Sequence, residues 1–188
     1  QDSSLLSQTG EIEKKINAAE IDLDEQVESL IVRRQPIASD LRLVLAVSKI
    51  VRDLERMGDE LEKVGSLSLE CFTSGSEVGV TEIQRIAEQV AKMLSESLTA
   101  FARLDLTLAR DIFEREREVD KIYQSALRAL ATFMLEDPRN IGSVLNIIWI
   151  ARSLERVGDH ATNIAEYVIY LVQGIDVRHP GINQNSFE

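Results

Sequence analysis

The chain has 188 residues, enough for one sizeable core or two small ones, and its apolar content is near the globular average. Its 32 acidic against 21 basic residues give a formal charge of −11, which works against nonspecific attraction to nucleic acid or an anionic membrane and favours cations or basic partner surfaces. The single cysteine, Cys71, excludes an intramolecular disulfide and a thiolate metal cage and fits a reducing cytoplasm, while the most apolar run, Val144 to Ala151, falls short of the roughly 20 residues that cross a bilayer.

Few prolines and glycines interrupt the chain, and apolar residues recur three and four apart, so the expected regular structure is helical. The start, Gln1-Asp-Ser-Ser-Leu-Leu, has neither a methionine nor the basic flank and apolar core of a signal peptide. A first helix is predicted from about Leu5 to Arg34 on a stripe through Ile12, Ile16, Leu23 and Val27, ending where Gln35 precedes Pro36. Ser39 or Asp40 is the predicted N-cap of a second helix, whose stripe from Leu41 to Val64 leads to the polar segment Thr73 to Gly79. Thr81 is the predicted cap of a third helix through Ile83, Val90, Leu94 and Phe101. A tight turn near Asp105 leads to a fourth, through Leu108, Ile112, Val119 and Met134, stopped by Asp137-Pro138. A fifth carries Val144, Ile148, Ala151, Ile164 and Leu171, and past Gly174 the tail reads as loose.

An octapeptide, RxLERxGD, occurs twice: Arg52-Asp-Leu54-Glu55-Arg56-Met-Gly58-Asp59 and Arg152-Ser-Leu154-Glu155-Arg156-Val-Gly158-Asp159. Superposing the copies shows one plan, a helix, a proline turn and a helix bearing LERxGD, with a further helix in front of the second copy only. The expected fold is therefore all-α, two tandem three-helix-bundle repeats with the first lacking its N-terminal helix: residues 1–75, residues 80–174, and a loose tail over 175–188. A two-helix first repeat leaves an apolar face uncovered.

Residues four apart on a helix share a face, so Glu55 with Asp59 and Glu155 with Asp159 each present two carboxylates to one neighbour. Helices joined by a short turn pack antiparallel, and residues equally far from the turn sit at one height. Counting from Pro138 pairs Asp120 with Glu155 and Glu116 with Asp159, a group of four carboxylates; counting from Pro36 pairs Asn17 with Glu55 and Glu13 with Asp59, three acids and an amide. Oxygen donors in this number suit a hard or borderline cation, divalent or ferric: iron, manganese, magnesium or zinc. Asn163, one turn beyond Asp159, adds an amide oxygen to the second site, whereas its counterpart Lys63 competes with a cation at the first.

The competing reading is that Arg52, Arg56, Arg152 and Arg156 neutralise these acids in ordinary salt bridges. Glu20 with Asp24 has the same spacing at the wrong height and is assigned to solvent or a partner. His160 is assigned to the surface, Trp149 to the core or an interface, and Gly58 and Gly158 to close approach of a ligand or helix. No phosphate loop, catalytic triad cue or HExxH stands in the chain. An alternative function, a carboxylate-bridged di-iron helical-bundle enzyme, calls for Glu-x-x-His pairs that the sequence lacks.

Arg34-Gln-Pro-Ile-Ala-Ser-Asp-Leu-Arg42, LERMGD, Met134-Leu-Glu-Asp-Pro-Arg139 and ARSLERVGDHATNIAE resemble the PhoU family of bacterial phosphate-uptake regulators, over nearly the whole chain. The resemblance implies a cytoplasmic, often dimeric protein of two similar three-helix bundles, without enzymatic turnover. It implies negative regulation of phosphate-starvation signalling, as an adaptor between the ATPase of the phosphate ABC transporter and the sensor histidine kinase of the phosphate regulon. No nucleic acid and no membrane insertion belong to this expectation. It also implies metal clusters held by E(D)xxxD motifs, which fall on Glu55 with Asp59, Glu155 with Asp159, and Glu116 with Asp120; Glu13 with Asn17 departs from the pattern, as does Lys63 where many members have asparagine.

Overall fold

The structure is a computed structural model that describes residues 3–73 and 79–177. Among them it forms α1 (Ser3–Arg34), α2 (Ser39–Thr73), α3 (Val80–Arg103), α4 (Leu106–Glu136), a 3-10 turn (Pro138–Asn140) and α5 (Ile141–Gln173). At ~1.5 Å per residue the longer helices extend roughly 50 Å. The fold is all-α, with two helices in the first repeat and three in the second.

Local chemistry explains the breaks. Between α1 and α2, Gln35 and Ala38 adopt left-handed backbone at φ 46 and 49 on either side of Pro36, reversing the chain in four residues. Ser39 and Asp40 do not cap α2 but form its first two positions, because the Ala38 carbonyl already accepts from the Arg42 amide at 3.0 Å. Thr81 likewise lies inside α3, which begins at Val80 after Gly79. Gly79 is required there: its φ of 75 is left-handed, and a Cβ would stand 2.7 Å from Ile147 and Leu130. Asp105 caps α4, accepting from the Thr107 and Leu108 amides at 2.9 and 3.1 Å, while Asp137 ends it and accepts from the Arg139 amide at 3.0 Å. Gly174, with φ 74, ends α5. Residues 175–177 carry no regular structure; the rest of the expected tail, 178–188, and the linker residues 74–78 lie outside the described residues.

α5 is the central element, packed against α2, α3 and α4. Its buried Val144, Ile150, Val157, Ile164 and Val168 join Ile86 and Met93 of α3 and Ile112 and Leu130 of α4 in one core. Burial of each such side chain stabilises by about 1.5–3 kcal/mol before chain entropy is set against it. α2 runs antiparallel to α5: Arg42 lies 5.8 Å from the Tyr170 ring centroid and Lys49 5.6 Å from that of Tyr167, while Asn146 at the other end donates to Glu70 at 3.2 Å. Among the described residues α1 packs on α2 alone, and none of its described side chains is buried. A groove of about 250 Å³ stays open between them, lined by Ile16, Ala19, Leu23, Val51, Leu54, Met57 and Leu61, with Leu94 of α3 at its edge. This is the uncovered face that a two-helix repeat entails.

Candidate metal-binding acids

The second octapeptide places Glu155 and Asp159 on the side of α5 that faces Glu116 and Asp120 of α4. Burial is the main force pushing the Glu116 carboxyl above its ordinary range, and the negative charges of Asp120 and Asp159 add to it. Glu155 is pushed up by burial and by Asp159 and Asp120, against the pull of Arg152. Asp159 is pushed up by burial and by Asp120, against Arg152, His160 and Arg156. Each carboxyl feels its partners across the helix pair, so this corner holds more negative charge than its cations offset.

The first octapeptide faces α1. Glu55 is pushed up by burial, Asp59, Glu20 and Glu13, with Arg56 opposing. Glu20 therefore does not sit at an irrelevant height: it flanks Glu55 and lines the open groove. Its neighbour in the ExxxD pattern, Asp24, instead accepts from the Ser48 hydroxyl at 3.4 Å. Asn17 turns its amide nitrogen to Glu13 at 2.6 Å, a bond within α1.

The arginines divide unevenly. Arg152 clamps Glu155 through both carboxylate oxygens at 2.6 and 2.7 Å, whereas Arg56 touches Glu55 and Asp59 only at 3.5 and 3.9 Å. Arg156 turns away to Glu60 at 2.9 Å. Simple salt bridging thus accounts for Glu155 and leaves Glu116, Asp120 and Asp159 in excess. Among the described residues, no three His, Cys, Asp or Glu side chains converge closely enough to hold a metal ion as they stand.

Two expected participants lie elsewhere. Asn163 donates its side-chain amide to Asp53 at 3.0 Å, and Lys63 binds Glu60 at 3.0 Å. Both belong to the α2–α5 seam, so Asn163 does not turn that amide on the second site and Lys63 does not crowd the first. His160 is half-buried, and its Nδ1 lies 2.7 Å from Asp53. Asp53 and Glu60, 7% and 5% exposed, are the charged residues that sequence reasoning missed. Glu60 takes Lys63, Arg156 and the Ser153 hydroxyl, which hold its carboxyl below the ordinary range although burial opposes them. The available signal was the heptad step from Asp53 to Glu60, repeated as Ser153 to His160. The two glycines face neighbouring helices: a Cβ on Gly58 would lie 3.4 Å from Ile16, and one on Gly158 3.7 Å from Val90. Burial pushes the Cys71 thiol up, away from nucleophilic use. Trp149 is exposed rather than in the core.

These features define a class: a tandem-repeat helical bundle with acid rows on matched helix pairs and, among the described residues, no helix long and apolar enough to cross a membrane. A PhoU domain match covers residues 1–67 and 83–168. The chain is 52% identical over 188 residues to the phosphate-specific transport system accessory protein PhoU homolog of Pseudomonas aeruginosa, covering 100% of this chain and 78% of the relative. It is 40% identical over 181 residues to the accessory protein PhoU of Escherichia coli (strain K12), covering 96% and 75%. The crystal structure of PhoU from Pseudomonas aeruginosa superposes with a TM-score of 0.89 at 51% identity, covering 93% of this chain and 84% of that one. A Streptococcus pneumoniae PhoU structure shares the fold at a TM-score of 0.83 and 23% identity, covering 93% and 82%. The chain belongs to the PhoU family.

Proposed function

We propose that this chain is a regulatory accessory protein of phosphate-specific transport that restrains phosphate-starvation signalling from the cytoplasm, without catalytic turnover. Its relatives carry the transport-accessory name, and its acidic surface favours basic partner faces or cations. In this reading it works as a homodimeric adaptor between the ATPase of the phosphate ABC transporter and the sensor histidine kinase of the phosphate regulon.

The adaptor uses metal ions. Glu116, Asp120, Glu155 and Asp159 would hold a divalent or ferric ion, and Glu13, Asn17, Glu55 and Asp59, with Glu20 beside them, a second and weaker one. The observation that carries this is the raised carboxyls of Glu116, Glu155 and Asp159, which face each other with Arg152 as the close cation. A bound cation would supply the missing positive charge, and oxygen donors select iron, manganese or magnesium ahead of soft metals, with zinc also accommodated. The di-iron enzyme would need nitrogen donors, and His160 is committed to Asp53.

The test is thermal unfolding of dialysed protein with each cation added. At a concentration on the order of a hundred times Kd, binding should raise Tm by about 5–10 °C. The Glu155→Ala/Asp159→Ala double variant should lose that rise; an unchanged response refutes the metal site.

A further inference from the structure

We propose that Glu60 is a positioning residue for the second acid group: it holds Arg156 on the α2–α5 seam and so keeps that arginine off Asp159, leaving the group open to a cation. The inference rests on the metal reading above and names what makes its two sites unequal.

The duplication supplies the comparison. Arg56 and Arg156 occupy the same place in the two octapeptides, one residue after a glutamate and three before an aspartate, and both stand within long helices. In the first copy the arginine folds back on its own acids, 3.5 Å from Glu55 and 3.9 Å from Asp59. In the second it leaves them, and its guanidinium lies 2.9 Å from Glu60. Spacing and reach along the helix are equal in the two copies, so the seam makes the difference.

Four residues beyond each arginine the copies diverge, to Glu60 in α2 and His160 in α5. Glu60 is 5% exposed, and a carboxylate so buried is stable only with cations and donors around it. It takes Arg156, the Ser153 hydroxyl and Lys63, whose ammonium lies 3.0 Å from the same oxygen that Arg156 meets. Lys63 stands four residues from Asp59, so the same carboxylate draws it from the first group as well. His160, bound to Asp53, offers Arg56 no negative charge in return.

The charge balance shows why this matters. Arg152 already clamps Glu155, so a second arginine on Asp159 would neutralise the α5 side of the group. Held by Glu60, Arg156 acts on Asp159 less than Arg152 does, although it is the nearer of the two in sequence. Arg56, with no such holder, stays on the first pair of acids, where an incoming cation has to displace it.

Calorimetric titration of chelator-stripped protein with Mn2+, and separately with Zn2+, tests this. Glu60→Gln should weaken the tighter site by about tenfold, and Glu60→Gln/Arg156→Gln should return it to within about threefold of the wild type. A merely structural role would not be rescued by removing a second partner from the seam. Arg56→Gln, at a side chain 61% exposed, should tighten the weaker site by about threefold or more, while Arg156→Gln alone leaves the tighter one within about twofold. If Glu60→Gln does not fold, this last pair decides. Wild-type affinity in Glu60→Gln or in Arg56→Gln, or a double variant no tighter than Glu60→Gln, overturns the inference while the metal sites stand. A wild type that takes up neither ion overturns the metal reading and the inference with it.

Discussion

Nδ1 of His160, the residue after the second octapeptide, lies 2.7 Å from Oδ1 of Asp53 in the first, joining the two repeats across the α2–α5 seam. Asn163 donates to the same oxygen at 3.0 Å. The two repeats are thus fastened by a buried carboxylate that finds its partners only when the helices sit in this register.

Replacing Asp53 by alanine strands both donors in a protein-lined seam. The expected loss is about 1–3 kcal/mol in urea unfolding, with Asp53→Asn costing less because it keeps an acceptor for Asn163. Equal stability of Asp53→Ala and the wild type would show that the seam does not depend on this pair.

Acidity should act in two opposed directions. Glu55, Glu116, Glu155 and Asp159 have folded-state pKa values raised above their ordinary ones, so the folded state binds more protons and stability rises as pH falls from neutral through those values. Glu60 is held low, so its contribution is present above the ordinary carboxylate range and is lost as pH falls through its folded value. Tm against pH in chelator should climb on mild acidification and then drop. A Glu155→Gln/Asp159→Asn variant should flatten the climb and keep the drop.

Gly158 sits inside α5, where a Cβ would touch Val90 at 3.7 Å and Met93 at 3.9 Å, ordinary packing distances. Gly158→Ala should therefore stabilise the protein by up to about 1 kcal/mol, the helical preference of alanine over glycine. Destabilisation in chemical denaturation would mean that α3 cannot accommodate the added methyl.

Amide hydrogen exchange should rank the helices by burial. α1 leans on α2 alone and has no buried side chain among those described, whereas α5 supplies much of the core. Exchange in α1 should proceed through local opening, faster than in α5; equal protection would place α1 in the same cooperative unit.

The sequence anticipated the helices well because their ends are written locally: Pro36, Asp105 and Asp137-Pro138 act through backbone geometry within a few residues. Counting from the turns also put Glu116, Asp120, Glu155 and Asp159 on facing sides, since a short turn leaves little freedom in register. Caps were misplaced where positive-φ backbone at Ala38 and Gly79, rather than a side-chain acceptor, starts the helix. The contacts of Asn163 and His160 with Asp53 were not legible for a different reason. They lie on the edge of α5, where the direction of a side chain depends on the α2–α5 packing, a contact between residues about a hundred positions apart.

The seam also discriminates against wrong assembly. Asp53 meets His160, and Glu60 meets Ser153 and Arg156. If α2 paired instead with α2 of another molecule in the same register, Asp53 would confront Glu60, burying two carboxylates together. Divergence between the duplicated segments has thus made each repeat a mate for its sibling and a poor mate for itself, which disfavours pairing between like repeats of neighbouring molecules.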